Sequence, residues 1–151
     1  MKFFLDTEFI EDGRTIDLIS IGVVAEDGME YYAESSEVDW SKANPWVLMN
    51  VKPHLLDVPQ PRSTIASELV EFVGDKPEFW GYYADYDWVV VAQLFGTMMD
   101  LPKSWPMFCM DLKQLCVMKG DPRLPEQTGT EHHVLEDARW NRYIYNWLTR
   151  D

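Results

Sequence analysis

Apolar and polar positions alternate at the start of the chain. Phe3, Leu5 and Thr7 fall on one side and Phe4, Asp6 and Glu8 on the other, which predicts a strand. The Ile-, Leu- and Val-rich stretch Thr15–Ala25 predicts a second strand. The turn signal Glu26-Asp27-Gly28 leads into a third at Met29–Glu34, so the first third reads as an antiparallel meander. From Ser35 to Arg62 the pattern loosens, punctuated by Pro45, Pro53, Pro59 and Pro61. This stretch reads as a long connection with a short helix around Trp46–Asn50, packed on the surface by its Trp residues. Beyond it the period becomes helical. Ile65, Leu69, Phe72 and Val73 mark a helix over Thr64–Val73 that stops at Gly74. Glu78–Tyr82 predicts a short aromatic strand, Tyr86–Phe95 a helix ended by Gly96, and Met107–Met110 a strand. Asp111–Met118 predicts a helix with Asp111 as N-cap, Gly120–Gly129 a loop, and Val134–Thr149 the last helix. A meander followed by alternating strands and helices is an α/β pattern with a mixed sheet.

The length, 151 residues, predicts one domain spanning 1–151. With 46% apolar and 14% aromatic residues it excludes disorder as the main state. The longest unbroken apolar run, Trp88–Ala92, is far short of the ~18 residues a membrane span needs, and no signal peptide pattern opens the chain. No membrane partner is expected. Cys109 and Cys116 share no CxxC or His–Cys spacing and read as reduced thiols of a cytoplasmic protein rather than zinc ligands. The net charge of −13 excludes a protein that coats nucleic acid through its overall field. It leaves room for an enzyme that neutralises phosphate locally with cations, because hard divalent ions take carboxylate ligands.

The candidate chemistry lies in four acids and a histidine. Asp6 and Glu8 stand two apart on one strand and so share a face. Like charges that close raise each other's pKa unless a cation compensates. Asp87 precedes Val90 and Val91 by three and four residues and therefore lies on the apolar face of its helix, with Asp85 the alternative acid or a cap. Asp137 belongs to the stripe Trp140, Ile144, Trp147 on the last helix. His132 stands five residues before it, at the helix start, with His133 as the alternative. Carboxylates from scattered segments beside a histidine describe a divalent-metal site with a general base. Such sites suit phosphodiester hydrolysis, the histidine taking the proton of the attacking water.

At this point the chain resembles the DEDDh-type 3′-5′ exonucleases of the ribonuclease H-like superfamily. Phe4-Leu5-Asp6-Thr7-Glu8-Phe9 resembles their first motif, Tyr83-Ala84-Asp85-Tyr86-Asp87 the second, and His132-His133-Val134-Leu135-Glu136-Asp137-Ala138 the third. The second motif ends in an aromatic followed by Asp, which selects Asp87; the third has His five before Asp, which selects His132. The run Ile10-Glu11-Asp12-Gly13-Arg14-Thr15 and Ile19-Ser20-Ile21-Gly22-Val23-Val24 is similar to the small exoribonucleases typified by the mycobacterial polyadenylate-specific enzyme. The resemblance implies a ribonuclease H-like fold with a mixed five-stranded sheet. It implies two Mg2+ or Mn2+ ions held by Asp6, Glu8, Asp87 and Asp137, Asp6 bridging both, with His132 as general base. It also implies release of nucleoside 5′-monophosphates from the 3′ end of single-stranded RNA, and a homodimer as in relatives. One departure is Tyr83, where many members carry Asn; it bears on substrate orientation beside Asp87.

Thr7, Phe9 and Trp88 are candidate substrate contacts, Phe9 and Trp88 because aromatic stacking tolerates any base. Trp80, Trp140 and Trp147 read as core. Lys113, Lys119, Arg123, Arg139 and Arg142 are candidate phosphate guides, with Arg139 and Arg142 read rather as a solvated helix face. The motifs leave DNA as an alternative substrate, since all four acids address metal and phosphate. A non-catalytic binding module of the same fold is a second alternative. A plain acidic interaction domain is a third, and it predicts the four acids far apart.

Overall fold

The computed structural model describes residues 1–150. The meander forms as the alternation predicts: β1 (Lys2–Glu11), β2 (Ile16–Ala25) and β3 (Glu30–Ser35). β1 and β2 pair antiparallel from Phe3↔Ala25 to Glu11↔Ile16, with a register irregularity between Glu8 and Phe9. β2 and β3 pair antiparallel through a turn in which Gly28 takes a φ of 95°. The connection carries α1 (Pro45–Asn50), capped by the Asn44 side chain on the Val47 amide at 2.9 Å. Then follow β4 (Pro59–Gln60), α2 (Arg62–Val73), β5 (Glu78–Gly81), α3 (Ala84–Phe95), β6 (Met110–Asp111), α4 (Leu112–Met118) and α5 (Val134–Thr149).

The sheet has six strands in the order β4-β3-β2-β1-β5-β6, with β5 parallel to β1, β6 parallel to β5 and β4 parallel to β3. The expectation of five is therefore corrected by β4. Its two residues, paired with Glu34 and Ser35, carry no alternation that marks a strand. The connection is anchored by its Trp residues only in part, through Trp40. Trp46 is 51% exposed, whereas Val47 and Val51 are buried with Ile10 and Ile19. Val47, Val51 and the half-buried Trp40 hold the segment, and the Trp46 ring is left outside.

α2 and α3 cover one face of the sheet, where Phe3, Leu5, Ile21 and Val23 pack against Ile65, Leu69, Val90 and Val91. α5 covers the opposite face, and its approach depends on Gly22. A Cβ on Gly22 would stand 2.6 Å from the Val134 backbone, so only glycine lets the helix start lie directly on β2. Gly22 pairs across the ladder with Asp6, so this contact brings the first turn of α5 over the acidic face of β1.

Candidate active site

The strand period puts Asp6 and Glu8 on the α5 side of β1, and Gly22 lets α5 deliver Asp137 to them. One ligand oxygen from each of Asp6, Glu8 and Asp137 lies within 4.8 Å of the others. Asp87 arrives from the other side of the sheet. β5 pairs with β1 only at Lys2–Phe4, so the edge of β1 beyond Phe4 is free of strand partners on that side. Two side chains complete this edge. Asn141 donates to the Leu5 carbonyl at 2.9 Å, and the Asp87 carboxylate accepts from the Thr7 amide at 3.0 Å and the Thr7 hydroxyl at 2.5 Å. Asp87 is 5% exposed, as its place on the apolar face of α3 predicts, while Asp85 is exposed.

Burial raises the Asp6 pKa well above the carboxylate range, and the charges of Asp87, Asp137 and Glu8 raise it further. Burial, then Asp137 and Asp87, pushes Glu8 up to about 8. Burial lifts Asp87 to about 6 against the Thr7 hydrogen bonds that lower it. Asp137 is raised by burial and eased by Gln127, whose Nε2 donates to Oδ1 at 2.7 Å, and by the charge of His132. Carboxylates that resist ionisation together are a donor set that a cation would satisfy. All the ligand atoms are hard oxygens, which suits Mg2+ or Mn2+ rather than a thiolate-seeking metal.

The two histidines separate by their bonds. His133 caps α5, its Nδ1 accepting from the Leu135 amide at 3.3 Å, and stacks on Tyr32 at 5.4 Å. His132 takes a left-handed φ of 65° and lines a cavity of about 370 Å³ with Asp6, Asp137, Tyr82 and Trp140. Its ring meets the Trp46 indole edge-to-face at 4.9 Å. Trp46 also lines a second cavity with Glu8 and Phe9.

Several expectations are corrected. Trp88 offers no stacking face: it is 9% exposed and packs on Phe79 at 5.0 Å. Thr7 is buried and its hydroxyl donates to Asp87, so its side chain orients that acid. The buried stripe of α5 is Val134, Ala138, Asn141, Ile144 and Leu148; Asp137, Trp140 and Trp147 flank it, half-buried. Lys113 pairs with Asp121 and Arg123 with Glu126, while Arg139 and Arg142 keep to the helix-face reading, Arg139 paired with Glu30 and Glu136 and Arg142 donating to the Glu26 carbonyl at 2.8 Å. Phe9 keeps a partly open ring, stacked on Tyr86 at 6.2 Å. Sequence reasoning missed Gly22, Gln127, Asn141 and Trp46. Only Gly22 carries a local signal, a glycine inside a strand.

A sequence model described as the 3′-5′ exoribonuclease Rv2179c-like domain matches residues 1–149. The chain belongs to this family. It is 46% identical over 150 residues to the 3′-5′ exoribonuclease Rv2179c of Mycobacterium tuberculosis H37Rv, covering 92% of this chain and 88% of the relative. As an Rv2179c-like exoribonuclease domain it is an enzyme of the nuclease class. The solved structures it resembles share the ribonuclease H-like α/β fold. The zinc-bound Escherichia coli exonuclease I in complex with single-stranded DNA matches with a TM-score of 0.70 at 14% identity, over 95% of this chain. This chain spans only 39% of that protein's length. Schizosaccharomyces pombe Pop2p, in a form with Mg2+ and Mn2+ bound, matches with a TM-score of 0.62 at 11% identity, over 95% of this chain and 81% of its own. No helix among the described residues is long and apolar enough to cross a membrane.

Proposed function

We propose that this chain acts as a single metal-dependent unit that hydrolyses single-stranded RNA from its 3′ end to nucleoside 5′-monophosphates. The observation that carries the reading is the meeting of Asp6, Glu8 and Asp137 within 4.8 Å, from segments more than a hundred residues apart. The plain acidic domain required these groups apart. Membership of an exoribonuclease family and the name of the mycobacterial relative support RNA over DNA.

Asp6, Glu8 and Asp137, with Asp87 held against Thr7, would hold two divalent ions, Mg2+ or Mn2+. Bound there, such ions would stabilise charge on the attacking and leaving oxygens of the phosphodiester. The residues of the chain do the rest. His132 is the general base, taking the proton of the attacking water; unlike His133, it has no helix to cap. Trp46 stands against its ring and limits its swing. Asn141 and Asp87 complete the β1 edge and hold the strand that carries Asp6 and Glu8 at fixed height. Phe9, beside Glu8, is the nearest partly open ring for a terminal base.

The test is a 5′-labelled single-stranded RNA and its DNA twin, incubated with Mn2+ or Mg2+, beside the Asp6→Asn variant. The expected result is a ladder that shortens from the 3′ end, is lost in the variant and forms faster on RNA. Faster cleavage of the DNA strand would transfer the reading to a DNA exonuclease. No cleavage of either strand in either metal would make the chain a binding module of the same fold.

A further inference from the structure

Tyr83 opens α3 with φ 54° and ψ 49°, the left-handed region that a bulky side chain rarely enters. Its amide is held by Asp111 Oδ1 at 3.2 Å, the same oxygen that caps α4 through the Lys113 amide at 2.8 Å. The ring itself makes no cap bond, and Tyr83 is 56% exposed. Strain of this kind, held by a neighbouring carboxylate and not used for capping, calls for another use of the ring. The ring stands edge-on to Tyr82 at 4.9 Å, and Tyr82 meets Trp140 at 5.3 Å. Tyr82 and Trp140 both line the cavity of Asp6, Asp137 and His132. Tyr83 is therefore the next ring outward in an aromatic row that begins at the acids.

Charge offers little hold on a nucleic acid here. The chain carries −13, and Arg139 and Lys113 are tied to carboxylates while Arg142 is tied to a carbonyl. Away from the phosphate that metal ions would address, the bases offer a strand its other hold. We propose that Tyr83 is a specificity-determining residue that stacks on an unpaired base of the strand entering the carboxylate site. The proposal rests on the exoribonuclease function argued above. Stacking makes the grip indifferent to base sequence and shallow in its salt dependence. It also favours single strands, because a paired base has no free face to offer.

The experiment measures kcat, KM and Tm on single-stranded oligoadenylate for the wild type, Tyr83→Asn and Tyr83→Trp. Asn enters the left-handed region more readily than Tyr, so the first variant removes the ring without asking more of the backbone. The expected result is a KM raised about tenfold in Tyr83→Asn, a smaller change in kcat, a Tm no lower than wild type, and a KM restored in Tyr83→Trp. A wild-type KM in Tyr83→Asn, with RNA degradation intact, overturns this inference and leaves the proposed function standing. A loss of kcat at unchanged KM also overturns it, making the ring a support for Asp87. A wild type inert on RNA overturns the proposed function and this inference with it.

Discussion

Glu34 and Asp6 are acids on neighbouring parts of one sheet, and the fold treats them in opposite ways. Glu34, on β3, is 3% exposed and surrounded by donors. It accepts from the Leu56 amide at 2.5 Å, the Val58 amide at 3.1 Å and the Tyr32 hydroxyl. These bonds fasten the connection that follows β3. Asp6, on β1, has acids around it: Glu8, Asp87 and Asp137 all raise its pKa. A buried carboxylate ringed by donors is architecture, because its charge is already answered. Buried carboxylates that face one another leave their charge unanswered, and only a cation or protons can complete the group. Asp87 stands between the two cases, with Thr7 donating twice to one of its oxygens.

Substitution at each place should separate the two designs. Asp6→Asn is expected to lower the rate of RNA cleavage by on the order of 10²–10³-fold or more. In the metal-free protein it should raise Tm, since the cost of keeping a buried carboxyl protonated among other acids is gone; rates and thermal melts of the same preparation check both. Glu34→Ala should do the reverse. It leaves two backbone amides without their acceptor, at about 1–3 kcal/mol for each unsatisfied group, and so lowers Tm while activity per folded molecule persists. An Asp6→Asn protein that melts earlier than wild type would erase the contrast.

The histidine pair sharpens the contrast further. His132→Ala is expected to lower kcat by about 10²–10⁴-fold with Tm nearly constant. His133→Ala should lower stability by about 1 kcal/mol, the worth of an N-cap, with kcat largely kept.

The contrast also reads out in pH and metal. Asp6, Glu8 and Asp87 have folded pKa values above their unfolded ones, so the metal-free folded chain holds protons that the unfolded chain has released. Stability then falls as pH rises from 4.5, the ordinary Glu value, to about 8, the value to which Glu8 is pushed. The expected melting temperature of the metal-free protein is higher at pH 5 than at pH 8. Added Mn2+ or Mg2+ should raise Tm more at the higher pH, where the carboxylates are free to bind. A Tm at pH 8 that ignores both metals would place the acidic face with Glu34 as architecture.

Much of this was legible along the chain. Asp6 and Glu8 share a face because a strand has a period of two, which is a local property. Helix ends at Gly74 and Gly96 and the Asp111 cap appear where the residues indicate them. Illegible were the features that depend on distant partners. Trp88 carries the aromatic signature of a stacking residue, but burial against Phe79 decides against it. The helix-face role of Arg139 and Arg142 was legible, but not their partners, Glu30 on β3 and the Glu26 carbonyl in the turn before it. The stripe of α5 was misplaced by one residue because Trp140 and Trp147 outweigh Ala138 and Asn141 in any hydrophobic reading, though the smaller pair lies deeper.

The sequence by itself determined the α/β order of elements, the adjacent pair of acids on β1 and the motifs that mark Asp87, Asp137 and His132, because each rests on spacing within one segment. Only the tertiary structure decided that these residues meet. Gly22 removes the side chain that would keep α5 off the sheet, and the early end of β5 leaves a β1 edge for Asp87 and Asn141 to complete. Close approach of backbones and the filling of an open strand edge are long-range matters of volume and hydrogen bonding, and no local periodicity encodes them.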